Sequence, residues 1–143
     1  MNSSNVSIQP YLSFGGRCEE AIEFYRKALG AELRMMMRFK ESPEPTEMPE
    51  CFHDKIMHAS LQIGDSVLMA SDGRCEGPQA FEGFSISVVL PDEEQAERAF
   101  ATLSDGGLVT MPLEKTFWAP KFGMLQDRFG VSWMVSVVHK TDA

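Results

Sequence analysis

One echo limits this chain more than any other feature: LQIGDSVLM at 61–69 is answered by LQDRFGVSWM at 125–134, with one extra residue in the second turn. The order of elements repeats around it. At the start, Ile8, Pro10, Leu12 and Phe14 alternate with Gln9, Tyr11 and Ser13, the period-two pattern of a strand, and Gly15-Gly16 ends it. From Arg17 to Leu29 the spacing becomes helical, with Ala21, Ile22, Tyr25, Ala28 and Leu29 on one stripe and Gly30 as C-cap. Ala31–Phe39 returns to extended character. Lys40–Lys55, with Pro43, Pro45, Pro49 and many acids, reads as a long loop or flap too poor in apolar residues to pack. Ile56–Ile63 alternates again, and the tight turn Gly64-Asp65 leads into Ser66–Ser71 as a hairpin.

The same succession follows a turn-rich linker at 73–83. Phe84–Leu90 is a strand whose Phe84, Ile86, Val88 and Leu90 share a face. Asp92 is the N-cap of a helix, with Gln95 at the reciprocal capping-box position. Ala96, Ala99, Phe100 and Leu103 form its stripe, and Gly106-Gly107 end it. Leu108–Met111 is a strand, and Lys121–Gln126 and Val131–Val138 form a second hairpin around Asp127–Gly130. The chain therefore reads as α+β, with βαβββ modules at about 6–72 and about 84–138 inside one domain, 1–143. A module of about 65 residues with one helix cannot cover its own sheet, so pairing of the two sheets is expected.

Composition narrows the function classes. Thirteen Lys and Arg against twenty-one Asp and Glu give a formal net charge of −8, so a nucleic acid would meet a repulsive field. The apolar runs are too short to span a bilayer, and MNSSNVSIQP has neither a basic nor an apolar leader segment, so a soluble cytoplasmic protein is expected. Cys18, Cys51 and Cys75 are odd in number and lack CxxC spacing, which disfavours both a disulfide framework and a cysteine-rich zinc site. There is no GxSxG elbow, and Gly15-Gly16 runs into Arg17 and Cys18 without the lysine of a phosphate loop.

Three segments in order, PYLSF…CEEAIEFYRKALGAE, IMHASLQIGDSVLMASD and TFWAPKFGMLQDRFGVSWM, resemble the PhnB-like branch of the vicinal oxygen chelate superfamily. That resemblance, over about Val6 to Val138, implies the glyoxalase/bleomycin resistance/dihydroxybiphenyl dioxygenase-like fold: a cup-shaped mixed sheet with its helices outside. Members of the branch are often labelled 3-demethylubiquinone-9 3-methyltransferase, yet no glycine-rich strand-to-helix turn for a nucleotide-derived methyl donor is visible. Metal-dependent relatives hold four ligands, His or Gln from each first strand and Glu from each last strand. The matching positions here are Gln9, Ser85, Met69 and Met134. Thioethers are soft donors, ill-suited to a first-row dication among oxygen and nitrogen ligands, so the expectation is no catalytic metal and no cofactor. The superfamily also implies a homodimer.

Side chains can then be assigned to the cup. His58 shares its strand face with Ser60 and Gln62, so it is a candidate general base or a hydrogen-bonded wall residue. Tyr11, Met69, Phe122, Met124 and Met134 line the same surface, either as an adaptable wall for a flat or apolar ligand or as plain packing. Met36 or its neighbours can reach it too. Trp118, just before a strand, can close one end or pack under the long connection, whereas Trp133 has helix-side parity. Cys18, at a helix start, is a candidate for a lowered pKa, although such a cysteine is usually a small hydrophobe. His53 sits in the flap, and Cys51, Cys75 and His139 look incidental. The resulting expectation is a binder of a small apolar or planar molecule, without nucleic-acid or membrane partners. The alternative is a metal-independent isomerase or lyase acting on a small carbonyl compound through His58 and Gln9.

Overall fold

The computed structural model describes residues 6–43, 49–73, 77 and 79–138. The middle of the acidic loop, including Pro45, and Cys75 and His139 lie outside these. The chain forms two compact units, Met1–Pro78 and Gln79–Ala143, each carrying one four-stranded sheet and one α-helix.

In the first unit the strands are β1 (Tyr11–Ser13), β2 (Glu32–Arg38), β3 (Ile56–Ile63) and β4 (Ser66–Ser71), in the order β1-β4-β3-β2. Only β1 runs parallel to its neighbour. Helix α1 (Cys18–Leu29) packs on β2, β3 and β4 through Cys18, Ala21, Ile22, Phe24 and Tyr25, with Ala28 and Leu29 half-buried. Gly30 closes it at φ +66, its N–H donating to Arg26 O at 3.0 Å. The first strand is shorter than its period-two pattern. Pro10 has no N–H for the ladder, so pairing starts with its carbonyl, which accepts from Met69 N at 2.9 Å, and residues 6–10 stay exposed.

The loop after β2 packs more than its composition suggests. Phe39 and Phe52 are buried with ring centroids 5.5 Å apart, and Lys40 N–H donates to His53 O at 3.0 Å, which ties the two loop ends together. His53 is half-buried rather than exposed. Arg38 reaches across to Glu19 at 3.0 Å and to Asp54 O at 2.7 Å. The expectation of an unpacked flap therefore fails at its base, where two aromatics supply the burial that the acids between them cannot.

The second unit repeats the plan with β5 (Ile86–Leu90), α2 (Glu93–Ser104), β6 (Leu108–Glu114), β7 (Phe122–Gln126) and β8 (Ser132–Val137), ordered β5-β8-β7-β6. Phe84 falls outside β5 and is exposed. Asp92 Oδ1 caps α2 by accepting from Gln95 N at 2.8 Å, but the Gln95 amide donates to Asp92 Oδ2 at 2.9 Å, so the pair departs from the reciprocal capping box. Strand β6 runs through Pro112 because it lies at the sheet edge, where a missing N–H and an irregular register between Met111 and Glu114 are tolerated. In β7, Gly123 makes room for α2, since a β-carbon there would lie 2.7 Å from the Phe100 ring.

The two hairpins are in the register that the repeat implies. Leu61 faces Leu68 across a two-residue turn, and Leu125 faces Trp133 across a longer one. Asp127, 3% exposed, organises the longer turn: its carboxylate accepts from Phe129 N, Val131 N and Trp133 Nε1 at 2.9–3.0 Å. Trp133 is accordingly buried on the helix side, as its parity requires. Among the described residues no helix is long and apolar enough to cross a membrane.

Candidate functional site

Alternation sorts each sheet into a helix side and an open side. In the first unit Leu12, Ala59, Leu61, Leu68 and Ala70 are buried on the helix side. Register then places one row across the open side: Tyr11 opposite Met69, Met69 opposite Ser60, and Ser60 opposite Met35. His58 lies two residues along β3 from Ser60, opposite Met37. A register shift between Leu33 and Met35 makes this possible, because it turns Met35 and Met37 to the open side and Met36 to the helix side, opposite Ala59.

Within this row Tyr11 and His58 meet. The Tyr11 hydroxyl lies 2.9 Å from His58 Nδ1, and the rings are 5.5 Å apart at 43°. Tyr11 is half-exposed and His58 half-buried, so the pair is reachable from solvent while Met37 and Met69 flank it. The partner that the fold gives His58 is thus Tyr11, rather than the Gln9 expected to work with it. Gln9 lies in the exposed lead-in to β1.

The second unit carries the matching row, Ser87, Met134, Met124 and Met111. Phe122 occupies the place of His58, and Ser87 that of Tyr11. Ser85 precedes β5 and stands two residues before the residue opposite Met134, as Gln9 stands two before the residue opposite Met69. The Gln9/Ser85 correspondence therefore holds, but neither residue is on a first strand: β1 begins at Tyr11 and β5 at Ile86. Trp118 packs edge-on against Phe122 with centroids 5.4 Å apart, and Phe117 against Trp118 at 4.8 Å. A turn fixes this pair, with Thr116 N donating to Ala119 O at 3.0 Å and Ala119 N to Thr116 Oγ1 at 3.1 Å. Phe117, 96% exposed, was not singled out by the sequence reading. Met111 was missed as well, because its place in the row depends on pairing with β7.

Of the expected site residues, the fold brings together Tyr11, His58 and Met69 on one open face, and Met134, Met124, Phe122 and Trp118 on the other. The four ligand positions fit a metal poorly. A glutamine amide, a serine hydroxyl and two thioethers supply no carboxylate or imidazole for a dication. Among the described residues no cluster of three or more His, Cys, Asp or Glu side chains could hold a metal ion. Cys18 is fully buried, and burial first, then Asp72 and Glu19, push its thiol far above the ordinary range, opposite to the lowering expected at a helix start. The helix N-terminus that was expected to lower it is answered by a carboxylate, since Asp72 Oδ1 accepts from Gly16 N at 2.7 Å and Cys18 N at 2.8 Å.

Two βαβββ units of this kind are the fold of the glyoxylase/bleomycin resistance protein/dioxygenase domain from Frankia sp. EAN1pec, which is 14% identical with a TM-score of 0.64, covering 97% of this chain and 95% of that one. Residues 6–136 match the family described as 3-demethylubiquinone-9 3-methyltransferase, and the chain belongs to that PhnB-like family. Protein YjdN of Escherichia coli is 37% identical over 141 residues, covering 93% of this chain and 96% of its own. The crystal structure of PA1353 from Pseudomonas aeruginosa is 46% identical with a TM-score of 0.82, covering 93% of this chain and 98% of that one. The PhnB protein of Bacillus cereus is 26% identical with a TM-score of 0.77, covering 93% and 100%.

Proposed function

We propose that this protein binds a small apolar or planar molecule on the open faces of its sheets, without a catalytic metal. The observation that carries this reading is the rows of half-buried thioethers, Met69 beside Tyr11 and Ser60, and Met134, Met124 and Met111 together, with Phe122 and Trp118 alongside. Unbranched thioethers adapt to flat ligands, and aromatic edges add directional contact. The chain acts as a cytoplasmic homodimer on this reading. Exposed apolar side chains such as Ile8, Val89 and Leu108 favour association with a second copy.

A screen of small aromatic and carbonyl compounds by thermal shift tests the reading, since a ligand that binds only the folded chain raises the midpoint with concentration. A hit that protects wild-type protein and loses most of its effect in Met124→Glu supports it. Saturating hits whose effect is indifferent to Met69→Glu and Met124→Glu count against it. Protein purified without chelator that carries about one equivalent of zinc, nickel, iron or manganese overturns the metal-free part.

A second reading has its own support in the contact between Tyr11 and His58. Here the chain is a metal-independent isomerase or lyase acting on a small carbonyl compound, with His58 as the acid/base and Tyr11, rather than Gln9, orienting it. His58→Ala separates the two, because it abolishes turnover under this reading and alters affinity only modestly under the first.

A further inference from the structure

We infer that Tyr11 fixes His58 as a hydrogen-bond donor toward the bound molecule, so that the ligand carries a carbonyl or carboxylate oxygen on its apolar body. The inference rests on the binding reading above and deepens it. Only one arrangement of the 2.9 Å contact matches both partners' strengths. A phenol is a good donor and a weak acceptor, whereas the unprotonated nitrogen of a neutral imidazole is a good acceptor. The Tyr11 hydroxyl therefore donates to Nδ1, and the ring proton of neutral His58 resides on Nε2. In the imidazolium form both nitrogens carry protons and Tyr11 becomes the acceptor. Nε2 bears a proton in either state, so His58 offers a donor to the open face whatever its charge.

The surroundings define the rest of the ligand. His58 stands opposite Met37 and Tyr11 opposite Met69, so a donor is set among thioether walls. An oxygen acceptor attached to a flat or aliphatic body satisfies both, and a pure hydrocarbon leaves the donor without a partner when it excludes water. Tyr11 acts here as a positioning residue. The enzymatic reading requires the opposite arrangement, with Tyr11 accepting from Nδ1–H and Nε2 left free as the base, so the tautomer separates the two readings.

Two measurements on the full chain test this. Long-range nitrogen–proton NMR of the His58 ring reads the tautomer directly. The expected result is the Nε2–H form in wild type at alkaline pH, falling toward the mixture of a free imidazole in Tyr11→Phe with the rest of the spectrum retained. The second measurement titrates acetophenone and ethylbenzene, which share a shape and differ in the carbonyl, by amide shifts into wild type and His58→Leu. The ratio of ethylbenzene Kd to acetophenone Kd is expected to be about fivefold larger in wild type, the effect of one net hydrogen bond. An Nδ1–H tautomer in wild type, or equal ratios in the two proteins, overturns the assignment. Binding of neither compound on the open faces counts against the ligand class, while the tautomer still decides the role of Tyr11.

Discussion

Asp72 is 1% exposed and follows β4 directly, yet its carboxylate meets three backbone donors from two other segments: Gly16 N and Cys18 N on Oδ1, and Ile56 N on Oδ2 at 2.8 Å. Asp72→Asn preserves volume and tests this arrangement sharply. In the better amide orientation the oxygen still faces Gly16 and Cys18, but the new NH2 is set against the Ile56 N–H, donor to donor. A buried donor left unsatisfied costs about 1–3 kcal/mol. Removing a negative charge from the start of α1 costs about 1 kcal/mol more. The sum is close to 3 kcal/mol, or about a hundredfold in the opening equilibrium of the first unit. Both tryptophans, Trp118 and Trp133, lie in the second unit, so their fluorescence does not report this loss. Native-state amide hydrogen exchange does: amides of α1 and β3 should exchange about a hundredfold faster, with those of α2 and β8 nearly unchanged. Protection of α1 within threefold of wild type would refute the assignment of Asp72 as the clamp joining the start of α1 to β3.

Iodoacetamide at pH 8 should label Cys51 and leave Cys18 unmodified in the native chain, because Cys51 is exposed whereas Cys18 is buried with its thiol pushed up; peptide mass mapping reads both, and early labelling of Cys18 contradicts the packing. Arg38 holds the Glu19 carboxyl below its usual range, so that pair contributes stability at neutral pH that is lost as pH falls through the folded value. Glu19 itself is exposed and screened by solvent although Arg38 is partly covered, so Glu19→Gln should cost only about 0.5 kcal/mol at pH 7 and nothing at pH 2, measured by urea unfolding of the first unit. Exchanging Ser87→Tyr together with Phe122→His should recreate a Tyr–His contact in the second unit, because these positions stand in the register of Tyr11 and His58. A double-mutant cycle on stability should give a favourable coupling of about 1 kcal/mol, and zero coupling breaks the register argument.

Much of the fold was legible because the helix side of each module is strictly apolar. β3 and β4 keep the bounds read from alternation, and the stripe Ala96, Ala99, Phe100 and Leu103 is the buried face of α2. Legibility ended where a partner strand sets the outcome. The run Met35, Met36, Met37 has no parity of its own, and a register shift in β2 decides which methionines face outward. The meeting of Tyr11 with His58 spans three strands, β1, β4 and β3, so no local pattern announces it. Phe39 and Phe52 were hidden by the acids around them, because loop composition averages over the two residues that bury. Asp72 and Asp127 carry no sequence signal as clamps, since their partners are backbone amides.

The repeat also explains how one plan yields two chemically different faces. Helix-side positions in register, Leu61 with Leu125, Leu68 with Trp133 and Ala70 with Val135, are all buried and all apolar, because each is held by packing against its own helix. Even the change from Ala59 to Gly123 answers a larger neighbour, Phe100. Open-side positions bear no such constraint, and there the copies diverge: Tyr11 against Ser87, His58 against Phe122, and Ser60 against Met124. Packing thus sets a common frame, while the first unit carries a polar pair among its thioethers and the second carries thioethers with aromatic rings. The frame is therefore readable from either unit, whereas the chemistry of each open face has to be read from that unit alone.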